Sequence, residues 1–200
     1  MAGLGTGAAP FRAFLQHRAL LSTQGVDVGP VYYYFGSRHQ SQEYLYGEEI
    51  EAFINDGVVT RAGLAFSRDG PKKVYIQHKM LEDSEALARM LGEEEKGVFY
   101  LCGPTWPVPD VYEALVRALV RYKGYNNEKE AGEYLEGLKE EERYVLEVSR
   151  DSIPREEDGA DKDWIGVLEW SFVRTRSFSS YRRCHLVSSC LLVGRLWVLL

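Results

Sequence analysis

Three glycines stand close together near the start of the chain, in Gly3–Gly7 with the sequence GLGTG, and Pro10 follows them. Proline is favoured in the first turn of a helix, so this pattern predicts a tight turn that leads into a helix. Glycine lets the backbone approach a ligand closely, and the N–H groups of a helix N-terminus attract anions. The segment is a candidate pyrophosphate site, although a tight turn without a ligand explains it equally well.

A second candidate segment combines the hydroxyl of Ser67, the cations of Arg68 and Lys73, and the aromatic ring of Tyr75. A phosphate on the 2′ position of an adenosine needs fixed cations and hydroxyl donors, and the adenine needs a flat face beside it. These four residues are of those types. The alternative is a solvated basic loop on an acidic protein.

The third candidate pair is Cys102, which ends an apolar run and precedes Gly103, and Glu147, which lies in the last apolar run of 1–148. Ligands of open α/β sheets bind outside the carboxyl ends of the strands, where Cys102 is expected. Each residue also has an ordinary explanation. A lone cysteine is commonly a small buried apolar residue, and a glutamate on a terminal strand is commonly exposed.

The elements that position these residues alternate between short apolar runs and amphipathic stretches, which is typical of βα units on a parallel sheet. We therefore predict an α/β fold, a Rossmann-like parallel sheet with helices on both faces. The predicted strands are a first strand reduced to Met1 and Ala2, then Val31–Phe35, Thr60–Phe66, Val74–Gln77, Val98–Cys102 and Tyr144–Val148. The predicted helices begin at Pro10 and continue with Glu43–Asn55, Ser84–Leu91, Asp110–Lys123, with Asp110 and Glu113 as a capping box, and Glu128–Glu142.

Composition limits the classes of function. The chain has 200 residues and a formal charge of −6, which argues against nucleic-acid binding because phosphate contacts require clustered cations. Its three cysteines form no CxxC pair, so no disulfide framework or structural zinc site is expected, and no metal is predicted. The start of the chain lacks the pattern of a signal peptide, and the apolar run 186–200 is too short for a membrane span. We expect a cytoplasmic protein.

The composition changes after Val148. From Trp170 onward there are five arginines and no acidic residue, and the apolar residues follow no sustained period. We therefore expect a domain over residues 1–148 and a tail over 149–200, either disordered or loosely helical. The tail is interpreted as sequence foreign to the domain or, as an alternative, as an apolar helix that docks on a partner or a membrane face.

Taken together, the motifs resemble one family. Five ordered segments carry the resemblance: GLGTGAAPFRAFLQHR, YYFGSRHQSQEYLYGEEIEAF, AFSRDGPKKVYIQH, FYLCGPTWPVPDVYEALV and ERYVLEV. They resemble the NADP-binding domain of the diflavin reductases of the ferredoxin-NADP reductase type, above all the flavoprotein component of NADPH-dependent sulfite reductases.

The resemblance implies an oxidoreductase in which NADPH passes a hydride to FAD, with electrons continuing through FMN to a siroheme and iron-sulfur subunit that reduces sulfite. Flavin-binding domains and that subunit are the expected partners. The implied cofactor-binding residues are Gly5, Thr6, Gly7, Pro10, Arg38, Ser67, Arg68, Lys73 and Tyr75. The implied catalytic residues are Cys102, beside the nicotinamide, and Glu147, which helps stabilise charge during hydride transfer.

The sequence departs from the family in three ways. The first strand is cut to a stub, so we expect the apolar edges of its neighbours to be exposed. The Arg-x-Tyr-Ser motif of the FAD-binding barrel does not occur in it, so we expect no complete flavin site, and Ser149 stands where the family places an aromatic residue that stacks on the flavin. The alternative function is therefore a nucleotide-binding fragment that is catalytically inactive without its flavin domains.

Overall fold

The computed structural model describes residues 1–149. Its five strands in that part are β1 Ala2–Leu4, β2 Tyr32–Ser37, β3 Arg61–Phe66, β4 Phe99–Pro104 and β5 Tyr144–Ser149. They form one sheet in the order β3-β2-β1-β4-β5, and every pair is parallel. The predicted α/β fold with a Rossmann-like parallel sheet is confirmed.

The central strand β1 is short but complete in its pairing. Gly3 lies opposite Phe35 of β2 on one side and opposite Cys102 of β4 on the other. The predicted limit of the first strand to Met1 and Ala2 was too narrow, because Leu4 also belongs to the strand. β1 therefore pairs with three residues of β2 and with two of β4, so the inner edges of its neighbours are covered at those positions.

A short 3-10 helix, Gly5–Ala8, joins β1 to the first α-helix. The α-helices of residues 1–149 are α1 Ala9–Thr23, α2 Gln40–Glu43, α3 Gly47–Asn55, α4 Ile76–Glu82, α5 Ser84–Leu91, α6 Val108–Lys123 and α7 Glu128–Glu140. The prediction for Ser84–Leu91 is confirmed at both ends.

Helices cover both faces of the sheet, as alternation along β2 shows. Tyr34 packs in one apolar cluster with residues of α4, α5, α6 and α7, whereas Tyr33 and Phe35 pack in another with residues of α1 and α3. Successive side chains of a strand point to opposite faces, so β2 supplies both cores with large aromatic rings. All three of these rings are fully buried.

Two predicted elements were wrong. The segment Val74–Gln77 is not a strand, because α4 begins at Ile76. The helix predicted over Glu43–Asn55 is divided into α2 and α3 by Tyr46, whose φ is 59°. A non-glycine residue in this left-handed region interrupts a right-handed helix.

Asp110 is not a helix cap. Helix α6 begins at Val108, two residues before the predicted start, and Pro107 is its N-cap. The Asp110 carboxylate accepts a hydrogen bond from Gln77 Nε2 at 3.0 Å instead. The acidic residue therefore ties α6 to α4 and forms no capping box with Glu113.

The amino ends of β4 and β5 are held by a buried arginine. Arg143 is 8% exposed, and its guanidinium donates to the carbonyl oxygens of Leu91 at 2.7 Å, Gly92 at 3.3 Å and Gly97 at 3.4 Å. Glu93 and Glu141 lie within 3.4 Å of the same guanidinium. The side chain thus fastens the loop after α5 to the start of the sheet.

Candidate functional site

The glycine turn lies at the carboxyl end of the central strand. Gly5 has a φ of +53°, which favours glycine, and it opens the 3-10 helix that leads into α1. A Cβ atom on Gly7 would overlap the carbonyl oxygen of Cys102. Pro10 occupies the first turn of α1, as predicted. The turn therefore sits directly against the end of β4, and Thr6 is its exposed residue.

The ends of β2 and β3 continue their pairing into the loops that follow. The backbone N–H of Ser67 donates to the carbonyl oxygen of Ser37 at 3.0 Å, and that of Arg68 donates to the carbonyl oxygen of Arg38 at 2.9 Å. These bonds hold the backbones of two of the predicted cations, Arg38 and Arg68, side by side in the loops that follow β2 and β3. Because all strands are parallel, these loops lie at the edge of the sheet that also carries the glycine turn.

Arg38 is held in place by Glu43. Its Nε and terminal nitrogen lie 2.8 and 2.6 Å from Glu43 Oε1, and its backbone N–H donates to Oε2 at 2.8 Å. Partial burial alone raises the pKa of Glu43, but the hydrogen bonds from Arg38 outweigh it and bring the pKa below its ordinary value. Arg38 is therefore pre-positioned, with part of its charge balanced.

A second link joins the same two loops. Asp69 accepts from the backbone N–H of Gln40 at 2.8 Å, and its other oxygen lies 2.9 Å from His39 Nδ1. The hydrogen bond from Gln40, followed by that of His39, lowers the pKa of Asp69. The loop that carries Arg68 is thus tied to the loop that carries Arg38 at two places.

Tyr75 stands at the start of α4, at the same edge of the sheet. Its backbone N–H donates to His78 Nδ1 at 3.1 Å, and its ring centroid lies 5.8 Å from that of His78 and 6.2 Å from that of Trp106. Lys73 is exposed in the loop just before it. Both residues follow Ser67 and Arg68 in one loop between β3 and α4.

Cys102 and Glu147 lie on adjacent strands as register partners. The cysteine is 3% exposed and packs in the apolar cluster that contains Phe11, whereas the glutamate is exposed. Burial, and secondarily the charge of Glu147, raises the pKa of the Cys102 thiol to about 11. The thiol is therefore neutral near pH 7, which suits a packing surface and not a nucleophile.

The structure thus places the predicted cofactor-binding residues at the carboxyl edge of the sheet, and it places Cys102 and Glu147 two residues before the ends of β4 and β5. Two residues that the sequence did not single out also lie near this edge: Trp106 contacts the Tyr75 ring, and Gln77 donates to Asp110. The run Pro104–Pro107 with its tryptophan directly after a strand was a signal for Trp106. Gln77 was obscured by the wrong strand over Val74–Gln77.

Comparison with known proteins defines the class. The family described as "oxidoreductase NAD-binding domain" matches residues 1–108, and the chain belongs to this family. It is 46% identical over 151 residues to the "sulfite reductase [NADPH] flavoprotein component" of Saccharomyces cerevisiae, and 47% identical over 148 residues to the probable sulfite reductase [NADPH] flavoprotein component of Schizosaccharomyces pombe. It is 40% identical over 149 residues to the NADPH–cytochrome P450 reductase of Drosophila melanogaster.

Each match covers 74% of this chain, but 14% of each sulfite reductase relative and 22% of the P450 reductase. The chain thus spans about one seventh of the length of the first two relatives. The match confirms the resemblance carried by the five segments. Within residues 1–149, no helix is both long and apolar enough to cross a membrane.

Proposed function

We propose that residues 1–148 are an NADPH-binding domain and that the carboxyl edge of the sheet is the binding site. The observation that carries the proposal is the backbone pairing of Ser67 with Ser37 and of Arg68 with Arg38, which joins the two loops at the edge of the sheet that also carries the glycine turn. The names of the relatives, which include NADPH, support the same cofactor.

The residues of this edge fit the cofactor. Among residues 1–149, no side chain caps the N-terminus of the 3-10 helix and no acidic residue lies in its first turn. Its N–H groups, the lack of a Cβ on Gly7 and the start of α1 suit a pyrophosphate. Arg38 would bind beside the pyrophosphate and adenosine, while Ser67, Arg68 and Lys73 would bind the 2′-phosphate and Tyr75 would stack on the adenine.

NADPH supplies a hydride when it is bound, and this chain's contribution would be to hold and orient the nicotinamide. Cys102, buried beneath the turn, would support the nicotinamide by packing. Glu147 would place a negative charge beside it. Both roles depend on the short distance between β4 and β5, on which the two residues are register partners.

We further propose the finer function that the resemblance implies. The hydride acceptor would be FAD, and electrons would pass through FMN to a siroheme and iron-sulfur partner that reduces sulfite to sulfide. The flavins would be held by flavin-binding domains outside the matched segment. The sulfite reductase flavoprotein components among the relatives support this choice over other acceptors.

Calorimetric titration with NADPH and NADH tests the binding proposal. Each charge-assisted hydrogen bond to the 2′-phosphate contributes about 1.5–3 kcal/mol, so we expect NADPH to bind at least about 10-fold more tightly than NADH. Arg68→Gln and Lys73→Gln should weaken NADPH binding and leave NADH binding unchanged. Lys72→Gln is the matched control, since it removes an exposed lysine from the same loop. Equal affinities, or none, would overturn the proposal.

The alternative function, an inactive nucleotide-binding fragment, stays a prediction. A second measurement distinguishes it from the oxidoreductase function. The alternative predicts NADPH binding by the chain without NADPH-dependent reduction of ferricyanide. If ferricyanide is reduced only after flavin domains are added, the result is consistent with both functions. Turnover by the chain without any added flavin would contradict the alternative.

A further inference from the structure

A small pocket lies at the amino edge of the sheet, opposite the edge proposed for the nucleotide. It has a volume of about 310 Å³ and is lined by three segments of the chain, which fall within residues 18–22, 28–30 and 56–60. The first segment belongs to the last part of α1, the second leads into β2, and the third joins α3 to β3. The proposed nucleotide site uses none of these residues.

Arg18 supplies positive charge to this pocket. One terminal nitrogen of its guanidinium donates to the carbonyl oxygen of Gly29, which also lines the pocket. Within residues 1–149 this oxygen is its one hydrogen-bond partner, and its buried Nε has none. The carbonyl carries no net charge, so it does not neutralise the guanidinium. The planar donors of arginine match the two oxygens of a carboxylate, which is therefore the group that Arg18 suits.

Two hydroxyl groups line the same pocket. Thr60 Oγ1 accepts from the backbone N–H of Val31 at 3.0 Å, so its own O–H proton is the one left to donate. Ser22 is exposed one helical turn after Arg18, on the same face of α1. Hydroxyls beside a guanidinium add hydrogen bonds to a bound carboxylate.

The lining also carries negative charge. The carboxyl end of a helix has a partial negative charge, and both α1 and α3 end at this pocket. Neither helix has a basic residue in its last turn, and Asp56, the C-cap of α3, adds a full negative charge. A cationic group is favoured on this side. A phosphate or sulfate ion, which has no cationic group, would be repelled by Asp56.

The remaining lining is apolar and the volume is small. Val28, Pro30 and Val58 contribute hydrocarbon surface. Ligand pockets usually have volumes of about 300–1,000 Å³, so this pocket is at the lower limit. It suits a small molecule that carries one carboxylate, one amine and a short apolar group.

We propose that this pocket binds a free amino acid with a small apolar side chain. Arg18 and Thr60 bind the carboxylate, Asp56 and the end of α3 bind the ammonium group, and the side chain packs on the apolar wall. The inference goes beyond the proposed NADPH function and does not depend on it, because the two sites lie at opposite edges of the sheet.

The experiment is a set of NMR titrations of the full chain with three probes of similar shape. L-Valine has both charged groups, 3-methylbutanoate lacks the ammonium, and 2-methylpropylamine lacks the carboxylate. Each charge-assisted hydrogen bond lost weakens binding about 10-fold or more, so we expect L-valine to bind at least about 10-fold more tightly than either analogue. The largest amide shifts should be those of Gly29, Gly57 and Thr60, which line the pocket.

Two variants test the charges separately. Arg18→Gln should weaken L-valine binding at least about 10-fold. Because Arg18 also contacts the Gly29 carbonyl, Asp56→Asn is the second variant: Asp56 is exposed, so the fold should be kept. It should weaken L-valine about 3- to 10-fold without weakening 3-methylbutanoate. Arg117→Gln, an exposed arginine on α6, is the matched control and should change neither affinity.

The contrary outcomes are specific. Equal binding of L-valine and 3-methylbutanoate would overturn the inference, as would no binding of L-valine or an unchanged affinity in both the Arg18 and Asp56 variants. Amide shifts confined to the glycine turn at the carboxyl edge would also overturn it, because they would place the amino acid elsewhere. Failure of NADPH to bind would overturn the proposed function and leave this inference intact.

Discussion

Cys102 and Glu147 lie directly opposite each other across β4 and β5, the thiol buried in the core and the carboxylate exposed. The two side chains of a register pair in a parallel sheet share one face. A charge on Glu147 is therefore felt by the thiol, which adds to the effect of burial in raising the pKa of Cys102 to about 11.

The raised pKa of Cys102 predicts that its thiol is alkylated slowly. In a chain with Cys184→Ser and Cys190→Ser, Cys102 is the only cysteine left. Its usual pKa is 9.0, so the shift to about 11 lowers its thiolate fraction at pH 8 by about 100-fold, and we expect alkylation to slow by at least that factor relative to the unfolded chain. The rate should keep rising with pH up to about 11.

Glu147→Gln is the companion variant for this prediction. Removing the charge should lower the pKa of Cys102 and speed alkylation at a fixed pH, without unfolding the chain. The same shift has a stability consequence: between pH 9 and 11 the unfolded state releases the thiol proton first, so this group's contribution to folding falls as the pH rises. Alkylation as fast as in urea at pH 8 would contradict the assignment.

Gly7→Ala should disrupt both the fold and the site, because the added Cβ overlaps the carbonyl oxygen of Cys102. The backbone of a central strand cannot move away from the added Cβ without a large cost in free energy. We therefore expect the free energy of unfolding, measured by urea denaturation, to fall by about 3 kcal/mol or more. NADPH affinity should fall as well.

Gly137→Ala is the matched control for this substitution. A Cβ at Gly137 meets no atom within 4 Å, and the residue lies inside α7. Alanine is favoured over glycine in a helix interior, so this variant should gain about 0.5–1 kcal/mol. A similar loss in both variants would show that the contact between Gly7 and β4 is not the cause.

Two neighbouring tyrosines predict opposite outcomes for the same substitution. The Tyr34 hydroxyl donates to Asp83 at 2.9 Å, while the Tyr33 hydroxyl is buried without a partner among residues 1–149. Tyr34→Phe should cost about 1–2 kcal/mol because Asp83 loses a donor, and Tyr33→Phe should be neutral or stabilising. Thermal denaturation of both variants tests the difference, and equal losses would contradict it.

Arg143→Met should destabilise the chain strongly. The substitution removes the charged donor from the carbonyl oxygens of Leu91 and Gly92, which within residues 1–149 keep only the Tyr134 hydroxyl and the Lys96 N–H as donors. We therefore expect a loss of about 2–3 kcal/mol in the free energy of unfolding. Arg117→Met is the control, because Arg117 is exposed on α6 and pairs only with Glu113 among the described residues. It should cost less than about 0.5 kcal/mol. A small effect of the Arg143 substitution would overturn the role given to it.

Much of the fold could be predicted because local pattern and packing agree. The segment Ser84–Leu91 has apolar residues at helical spacing, and it forms a helix with those residues buried. Val74–Gln77 failed for a physical reason: its β-branched and aromatic residues favour a strand, but Ile76 and Met80 are both buried one helical turn apart. Tertiary burial, which local propensity does not contain, decided the outcome.

The candidate site also has features that the sequence suggests and features that only the fold determines. Residue types alone suggest phosphate binding by the segment from Ser67 to Tyr75, and this stays a prediction. The pairing of Arg38 with Arg68 could not be predicted, because it depends on β2 and β3 being neighbours in register. Trp106 was overlooked for a related reason: its contact with Tyr75 joins residues from two different loops.

Arg143, at the amino ends of β4 and β5, affects how far a ligand bound at the carboxyl edge changes the motion of the domain. At the amino ends of β4 and β5, Arg143 binds the carbonyl oxygens of Leu91 and Gly92, so this end of the sheet is fastened by the chain's own side chain. A nucleotide bound at the carboxyl edge would then reduce the backbone motion only of the loops that it contacts. The N–H groups of Gly92 and Gly97, in the loop after α5, donate to backbone carbonyl oxygens, so we expect their amide hydrogen exchange to be slow and unchanged by the nucleotide.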